Sequence, residues 1–209
     1  MTAQRDDRHT VAVFSDSLRQ HGRDFRALNW GSKAGQENRF RVLSEIGLSA
    51  GDSILDVGCG LGDLYDYLKR RGIAVSYTGL DITPDMVAEA RQRFPAAEFR
   101  QGSLLGTLDP PLQRVDYVVA SGIFYLRRER PFEHLQASVR RMFELCSKGI
   151  AFNCLSLWGD KAGDASDEYR EAPARCLEFC RSVSPRVALR HDYHPGDFTV
   201  YLRKEAQIS

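Results

Sequence analysis

Apolar positions along this chain follow two different periods. Short continuous apolar runs lie at 53–57, 75–80 and 117–120, and such runs are typical of strands buried on both faces of a parallel sheet. Between these runs, apolar residues recur at helical spacing, as in Leu64, Tyr67 and Leu68. Alternation of the two patterns predicts strands that alternate with helices, and therefore an α/β fold with helices on both faces of a parallel sheet.

The complete pattern predicts six helices and seven strands. The helices are expected at 10–20, 34–46, 63–71, 83–94, 132–146 and 174–183. The strands are expected at 53–57, 75–80, 98–100, 117–120, 149–154, 186–191 and 198–202. Residues 1–9 are polar and are expected to be a frayed tail, and 155–169 a loop or irregular insertion.

The last two strands are expected to form an antiparallel hairpin. Only about six residues separate them, and Pro195 and Gly196 are among these. The predicted sheet is therefore doubly wound, seven-stranded and mixed. We expect a single domain with a helical cap over 1–50, a ligand-binding core over 51–154, and a loop and closing hairpin over 155–209.

Composition excludes several classes of protein. The 209 residues carry 29 basic and 28 acidic side chains, so a net charge of +1 gives no broad field for nucleic acid or an anionic membrane. No apolar run approaches the roughly 20 residues that span a bilayer. Five cysteines without a Cys-x-x-Cys pair argue against a disulfide framework or a metal site and favour a reducing compartment, and so a cytoplasmic protein.

A glycine-rich turn follows the first predicted strand. Gly58, Gly60 and Gly62 would let a ligand approach the backbone at the carboxyl end of that strand. Asp81 ends the next strand, 25 positions after Asp56 (81 − 56), where a carboxylate can accept both hydroxyl protons of a ribose. The pair predicts a nucleoside pocket.

The spacing of the glycines narrows the choice of nucleotide. A dinucleotide fingerprint would place its third glycine one position later, where this chain has Asp63, and a carboxylate there would repel a pyrophosphate. No Lys-Ser or Lys-Thr pair follows the glycines, which excludes a P-loop. The pattern suits a nucleoside without phosphates whose other end is a zwitterionic amino acid.

The run from Ile54 to Leu64, together with Asp81 and the strand 116–120, resembles the class I S-adenosylmethionine-dependent methyltransferases. The resemblance covers roughly 35–153 and extends to the closing hairpin. It implies a Rossmann-like fold, S-adenosyl-L-methionine as the methyl donor and S-adenosyl-L-homocysteine as the product.

The resemblance also implies roles for individual residues. The turn Gly58, Cys59, Gly60 and Gly62 would pass beneath the methionine portion, with Asp56 below it, while Asp81 would hold the ribose. Ile82 and Met86 would pack on adenine. Many relatives have a Gly-Asp pair where this chain has Gly102 and Ser103. The Ser103 hydroxyl or the Leu104 amide would therefore contact the base edge. The remaining cofactor contacts expected are Ala120, Ser121 and Gly122 beside the sulfonium, Trp30 as a covering aromatic, and Arg39 as a partner of the ligand carboxylate.

The methyl acceptor is less constrained. Methyltransferases that act on amide or adenine nitrogens carry an Asn/Asp-Pro-Pro-aromatic motif after the fourth strand, and this chain has Ser121-Gly122-Ile123-Phe124 there instead. The similar run 109–112 precedes that strand and is expected to be a turn. A small molecule is the expected acceptor, through nitrogen, oxygen, sulfur or carbon. Expected acceptor contacts are Phe124, Tyr125, Asn153, Trp158 and Tyr193; weak candidates for a base are Tyr125, His191 and His194, and His134 is expected on a helix surface.

Two other classes of function remain open from sequence alone. One is a non-catalytic domain that binds S-adenosylmethionine to regulate or scaffold a partner, suggested by Ser103 and by the lack of an obvious base. The other is an NAD-dependent oxidoreductase, because that class shares the Gly-x-Gly turn and the acid. No metal is chemically required.

Overall fold

The computed structural model describes residues 2–159 and 167–205. Its α-helices are α1 (Thr2–His21), α2 (Lys33–Ser44), α3 (Asp63–Arg70), α4 (Pro84–Arg93), α5 (Pro131–Leu145) and α6 (Pro173–Val183). Its strands are β1 (Ser53–Val57), β2 (Ser76–Asp81), β3 (Glu98–Gln101), β4 (Val115–Ala120), β5 (Cys146–Leu155), β6 (Val187–Arg190) and β7 (Asp197–Arg203). A short 3-10 helix over Phe25–Leu28 connects α1 to the segment before α2.

The strands form one seven-stranded sheet in the order β3-β2-β1-β4-β5-β7-β6. The first five strands are parallel, and β7 pairs antiparallel with both β5 and β6. The prediction of a mixed α/β sheet closed by an antiparallel hairpin is confirmed. The strand order reverses between β1 and β4, which is the position where open α/β sheets bind ligands at their carboxyl edge.

Alternate residues of each strand pack against helices on opposite faces of the sheet. Leu55 and Val57 of β1 belong to the core cluster that includes α5 and α6, whereas Ile54 belongs to the cluster that includes α2, α3 and α4. The continuous apolar runs of β1 and β4 are explained by this double burial. The central strands are thereby fixed in register, and the loops at their ends are held in place.

The N-terminal segment differs from the expectation of a frayed tail. Helix α1 begins at Thr2 and runs for 20 residues. It lies against the rest of the fold through an edge-on contact of Phe14 with Tyr125, 6.4 Å between ring centroids, and a 2.8 Å hydrogen bond from Ser15 Oγ to Asp85. The polar composition of its first half suggested a frayed end. Polar contacts of Asp7 and Thr10 with Arg128 hold that half on the fold instead.

The expected loop at 155–169 is described only in part, because 160–166 lie outside the described residues. Its two flanks are tied to the fold by single bridges, Leu126 to Glu168 and Ser156 to Glu171. All five cysteines are buried free thiols, and Cys176 and Cys180 share the inner face of α6 as predicted. Over the described part of the chain, no helix is both long and apolar enough to cross a bilayer.

Candidate functional site at the carboxyl edge of the sheet

A large cavity opens where β1, β2, β3 and β4 end. It encloses about 1100 Å³, including the space at its open mouth. Its wall combines the turns after these strands with α1, the segment before α2, and the start of α5. Turns from four neighbouring strands and residues of several helices therefore share one concave surface.

The turn after β1 depends on glycine for local reasons. Gly58 and Gly60 have φ angles of +72° and +50°, the left-handed region that other residues adopt at a cost. A Cβ on Gly58 would lie 2.2 Å from Ile123 Cγ2, and one on Gly60 would lie 2.5 Å from Leu28 Cδ2. Both glycines line the cavity, so their backbone is open to a ligand on one side and closely packed on the other.

Asp81 connects this turn to the end of β2. Its Oδ2 accepts the Gly60 N–H and its Oδ1 accepts the Thr83 N–H, both at 2.8 Å. Burial raises the pKa of Asp81, and the two backbone donors oppose that shift. The carboxylate is 9 % exposed and faces the cavity. Since each carboxylate oxygen has a second lone pair, both can accept a further hydroxyl, as a ribose diol requires.

Asp56 lies deeper, at the end of β1, and it also lines the cavity. Its Oδ2 accepts a 2.6 Å hydrogen bond from the hydroxyl of the buried Tyr77. Burial raises the pKa of Asp56 to about 7, more than the Tyr77 hydrogen bond lowers it. Asp56 is therefore a weaker acid than an exposed aspartate.

Apolar side chains and a turn line the cavity beside Asp81. Ile82 and Met86 line one part of it, and Gly102, Ser103 and Leu104 line the other. The Gly102 N–H donates to the Asp81 carbonyl at 2.8 Å, which fixes the turn after β3 next to Asp81. The Ser103 carbonyl accepts the Gly106 N–H at 3.1 Å, and Ser103 lines the cavity at this edge.

The turn after β4 is held from below by a side chain of β5. Asn153 Oδ1 accepts the Gly122 N–H at 2.8 Å, and Asn153 Nδ2 donates to Ser121 Oγ at 3.1 Å. Ser121 and Gly122 both line the cavity, and Trp30 lies over Gly122 as part of the same wall. Asn153 is buried and does not itself line the cavity, so it positions this turn instead of contacting an acceptor.

Three residues expected to contact the cofactor are placed elsewhere. Ala120 is fully buried within β4, and the space that a Cβ on Gly62 would take is filled by Phe94 and Phe99. Neither Ala120 nor Gly62 lines the cavity. Arg39 forms an ion pair with Asp197, donates to the Gly35 carbonyl at 2.9 Å and lies 4.9 Å from the centre of the Trp30 ring. The expected pairing of Arg39 with a ligand carboxylate is corrected: its guanidinium supports Trp30 from outside the cavity.

Most of the expected acceptor contacts also lie away from the cavity. Phe124 is a core residue that packs edge-on against Phe152, 5.6 Å between ring centroids. Trp158 is 64 % exposed and lies 5.5 Å from the His191 ring, and the Tyr193 hydroxyl is 2.8 Å from Thr199 Oγ1. Tyr125 alone of the five lines the cavity, and its hydroxyl accepts a 2.6 Å hydrogen bond from Asn29 Nδ2.

The two histidines proposed as bases are occupied at the β6–β7 hairpin. His191 Nε2 lies 2.7 Å from Ser156 Oγ, and His194 Nδ1 accepts the Gly196 N–H at 3.0 Å. Neither lines the cavity, because the hairpin lies beyond β5 at the far end of the sheet. His134, which was expected on a helix surface, lines the cavity instead.

Sequence reasoning missed one side of the cavity. Asp7, Thr10 and Phe14 of α1 line it, and Arg128, His134 and Ser138 line it from the loop after β4 and from α5. The helical spacing of these residues along the sequence did indicate that they share helix faces. Positions 7, 10 and 14 share one helical face, and positions 134 and 138 are a polar pair beside the buried Leu135 and Val139.

Acidic side chains outnumber basic ones in the cavity wall. Among the described residues that line the cavity, the acids are Asp7, Asp56, Asp63 and Asp81, and the sole Lys or Arg is Arg128. Asp63 is bound by Gln36 and Arg93, at 3.0 and 2.8 Å, and Asp7 pairs with Arg128 at 2.9 Å. Because these two acids have cationic partners, the remaining carboxylates of the described wall are Asp56 and Asp81.

Comparisons with known proteins agree with this chemistry. A family model described as a methyltransferase domain matches residues 54–149. The Mycobacterium tuberculosis protein Rv1506c, which carries a methyltransferase name, is 36% identical over 157 residues, covering 73% of this chain and 93% of the relative. A trans-aconitate 2-methyltransferase of Paracidovorax citrulli is 34% identical over 80 residues, which is 38% of this chain and 31% of that protein.

The fold is similar to that of solved methyltransferases. The magnesium protoporphyrin IX methyltransferase of Synechocystis PCC 6803, crystallised with S-adenosylmethionine, superposes with a TM-score of 0.67 at 15% identity, over 96% of this chain and 97% of that one. At that identity the likeness establishes the fold. Together with the family model and the mycobacterial relative, it shows that the chain belongs to the class I S-adenosylmethionine-dependent methyltransferases.

Proposed function

We propose that this enzyme transfers the methyl group of S-adenosylmethionine to a small-molecule acceptor bound in the same cavity. The observation that carries the proposal is the continuity of one wall, which runs from Asp81 and the glycine turn to His134 and Arg128. A donor bound at one end and an acceptor at the other would meet at Ser121 and Gly122.

The residues of this chain fit the donor part by part. Asp81 would hold the ribose hydroxyls, and Ile82, Met86 and Leu104 would enclose adenine, with Ser103 at the base edge. Gly58, Cys59 and Gly60 would support the methionine portion above Asp56, and Trp30 would cover it. The carboxylates of the wall would offset the positive charge of the ligand.

Bound S-adenosylmethionine supplies a methyl group that is already activated by the positive charge on sulfur. The protein therefore contributes alignment and a site shielded from water. Asn153 keeps the Ser121–Gly122 turn in one conformation, and Phe14, Leu28 and Trp30 provide apolar cover at the cavity. These residues would keep donor and acceptor in line.

A small acceptor is favoured over a macromolecule because α1 lies across the acceptor end of the cavity. Phe14 contacts Tyr125 and Asp7 pairs with Arg128 at 2.9 Å, so a strand or chain could enter only if α1 moved away. The net charge of +1 adds no attraction for nucleic acid. The names trans-aconitate 2-methyltransferase and magnesium protoporphyrin IX methyltransferase both refer to small-molecule substrates.

The proposal is tested by two measurements. Isothermal titration with S-adenosylmethionine, S-adenosylhomocysteine and NADH should show binding of the first two ligands only. Incubation with methyl-labelled donor and two cell-extract fractions, one of metabolites and one of macromolecules, should label the metabolite fraction. Label confined to protein or nucleic acid, or tight binding of NADH alone, would refute the proposal.

A further inference from the structure

Arg128 brings a positive charge, paired with one acid of α1, to the end of the cavity proposed for the acceptor. It lies on the loop between β4 and α5, and its side chain is 12 % exposed. One guanidinium nitrogen pairs with Asp7 at 2.9 Å, and a second is 3.5 Å from Thr10 Oγ1. Arg128 lines the cavity, and these two contacts use two of the five N–H donors of its guanidinium.

The partner of Arg128 is itself a carboxylate. Asp7 belongs to α1, lines the cavity, and is more exposed than Arg128, at 28 %. The geometry of the pair shows that a carboxylate fits against this guanidinium at the acceptor end. A carboxylate on a small ligand could take the same place if the Asp7 side chain rotated away from Arg128.

The groups next to Arg128 are poorly suited to removing a proton from an acceptor. His134 faces the same cavity, and burial, assisted by the charge of Arg128, lowers its pKa to about 4. An imidazole with that pKa is a weak base at neutral pH. Burial raises the pKa of Tyr125, so its hydroxyl stays protonated. This end of the cavity suits a nucleophile that has already lost its proton.

We propose that Arg128 is the binding site for the carboxylate of the acceptor, that this carboxylate is methylated to a methyl ester, and that Asp7 occupies the site when no acceptor is bound. The inference rests on the proposed methyl transfer and names its substrate class. One acceptor oxygen would lie on Arg128, and the other would face the donor. A lone pair of that second oxygen forms the O–CH3 bond, the C–S bond breaks with its electron pair returning to sulfur, and no proton is released.

The same arrangement gives Asp7 a role after the reaction. The acceptor carboxylate is charged and competes with Asp7 for Arg128, whereas the ester product is neutral. Arg128 would then be left buried without a counter-charge, which is unfavourable, and Asp7 would pair with it again. Exchange of the two carboxylates would therefore couple product release to the position of the Asp7 side chain.

The experiment measures binding to the enzyme loaded with S-adenosylhomocysteine, so that no turnover occurs. Titration calorimetry compares hexanoate, benzoate and trans-cinnamate with hexanamide, benzamide and cinnamamide. At least one acid should bind ten-fold or more tightly than its amide, and Arg128→Gln should abolish that preference. Mass spectrometry after addition of S-adenosylmethionine should then detect the methyl ester of the acid that binds.

Asp7→Asn distinguishes this proposal from a purely structural ion pair. Removal of a competing carboxylate should tighten acid binding at least three-fold, although the variant loses a contact of α1. Asp16→Asn is the matched control, since Asp16 is an exposed acid of the same helix that pairs with Arg19 outside the cavity. Asp16→Asn should leave acid binding unchanged. The comparison of the two Asp variants does not depend on whether Arg128→Gln folds.

The outcomes separate the two proposals. Equal binding of acids and amides, no binding of any acid, or weaker acid binding in Asp7→Asn would overturn the carboxylate site. S-adenosylhomocysteine affinity is expected to be the same in all the variants. If the wild-type protein failed to bind S-adenosylhomocysteine at all, the proposed methyl transfer itself would be refuted.

Discussion

The backbone N–H of Gly60 donates to Asp81 Oδ2 at 2.8 Å, so the acid expected to bind ribose also holds the glycine turn. Its other oxygen accepts the Thr83 N–H at the same distance. Asp81 thus joins the ends of β1 and β2 before any ligand is present. Ligand binding and local stability depend on one side chain, and they have to be measured separately.

Replacement of Asp81 by Ala should weaken S-adenosylmethionine binding by roughly 1–3 kcal/mol, the usual effect of losing charge-assisted hydrogen bonds. It should also lower the melting temperature, because two buried N–H groups lose their acceptor. Calorimetric titration and thermal unfolding measure the two effects. Asp66→Ala, at an exposed pair with Arg70, should change neither. Unchanged affinity in Asp81→Ala would place the ribose elsewhere.

Gly60→Ala should destabilise the fold through strain and a steric clash. The left-handed backbone at φ +50° costs a non-glycine residue about 1–2 kcal/mol, and the new methyl group would lie 2.5 Å from Leu28 Cδ2. Urea unfolding should show the loss. The double variant with Leu28→Ala should recover the steric part and leave the backbone part. Wild-type stability in Gly60→Ala would contradict the turn geometry described above.

The sheet and the glycine turn were predictable because their signals are local. Strands β1 and β4 are buried on both faces and have continuous apolar runs, and the turn after Val57 needs glycine at fixed positions. The cavity-lining positions of Asp81 and Met86 follow from where their strand and helix meet. These features depend on neighbours along the chain or on one adjacent strand.

The acceptor end was not predictable in the same way. Helix α1 begins with polar residues, and only its packing on the loop after β4 shows that Asp7 meets Arg128. Arg39 was assigned to the ligand because its charge was visible, whereas its partner Asp197 lies 158 positions later (197 − 39). Long-range pairing of charged side chains leaves little trace in the periodicity of one sequence.

Asn153 should affect catalysis without contacting either substrate. Asn153→Ala removes the acceptor of the Gly122 N–H and the donor to Ser121 Oγ, each worth ~1 kcal/mol. The loosened turn should lower kcat for methyl transfer more than it changes S-adenosylhomocysteine affinity. Steady-state kinetics with the acceptor, beside calorimetry with the product, give both values. A variant with normal kcat would show that the turn is held by other contacts.

Asp56 should make the fold less stable as pH rises from about 4 to about 7. Burial raises the pKa of Asp56 in the folded protein from its ordinary value of 3.8 to about 7. The folded state therefore binds more protons than the unfolded state in this interval, and the free energy of unfolding falls by up to about 1.4 kcal/mol per pH unit. Asp56→Asn should make the slope of the unfolding free energy against pH more positive than in the wild type, as measured by urea unfolding across the interval. A variant with the wild-type slope would contradict the raised pKa of Asp56.

His134 should contribute a slope of the opposite sign. Burial lowers the pKa of His134 from its ordinary value of 6.5 to about 4, so between these values the unfolded chain binds the additional proton and stability rises with pH. The contributions of Asp56 and His134 therefore offset one another over most of this interval. His134→Gln alone should make the fold lose stability more steeply as pH rises, and Asp56→Asn alone should make it gain stability. The double variant should have a slope between those of the two single variants, and single variants whose slopes change in the same direction would contradict the buried positions of these two side chains.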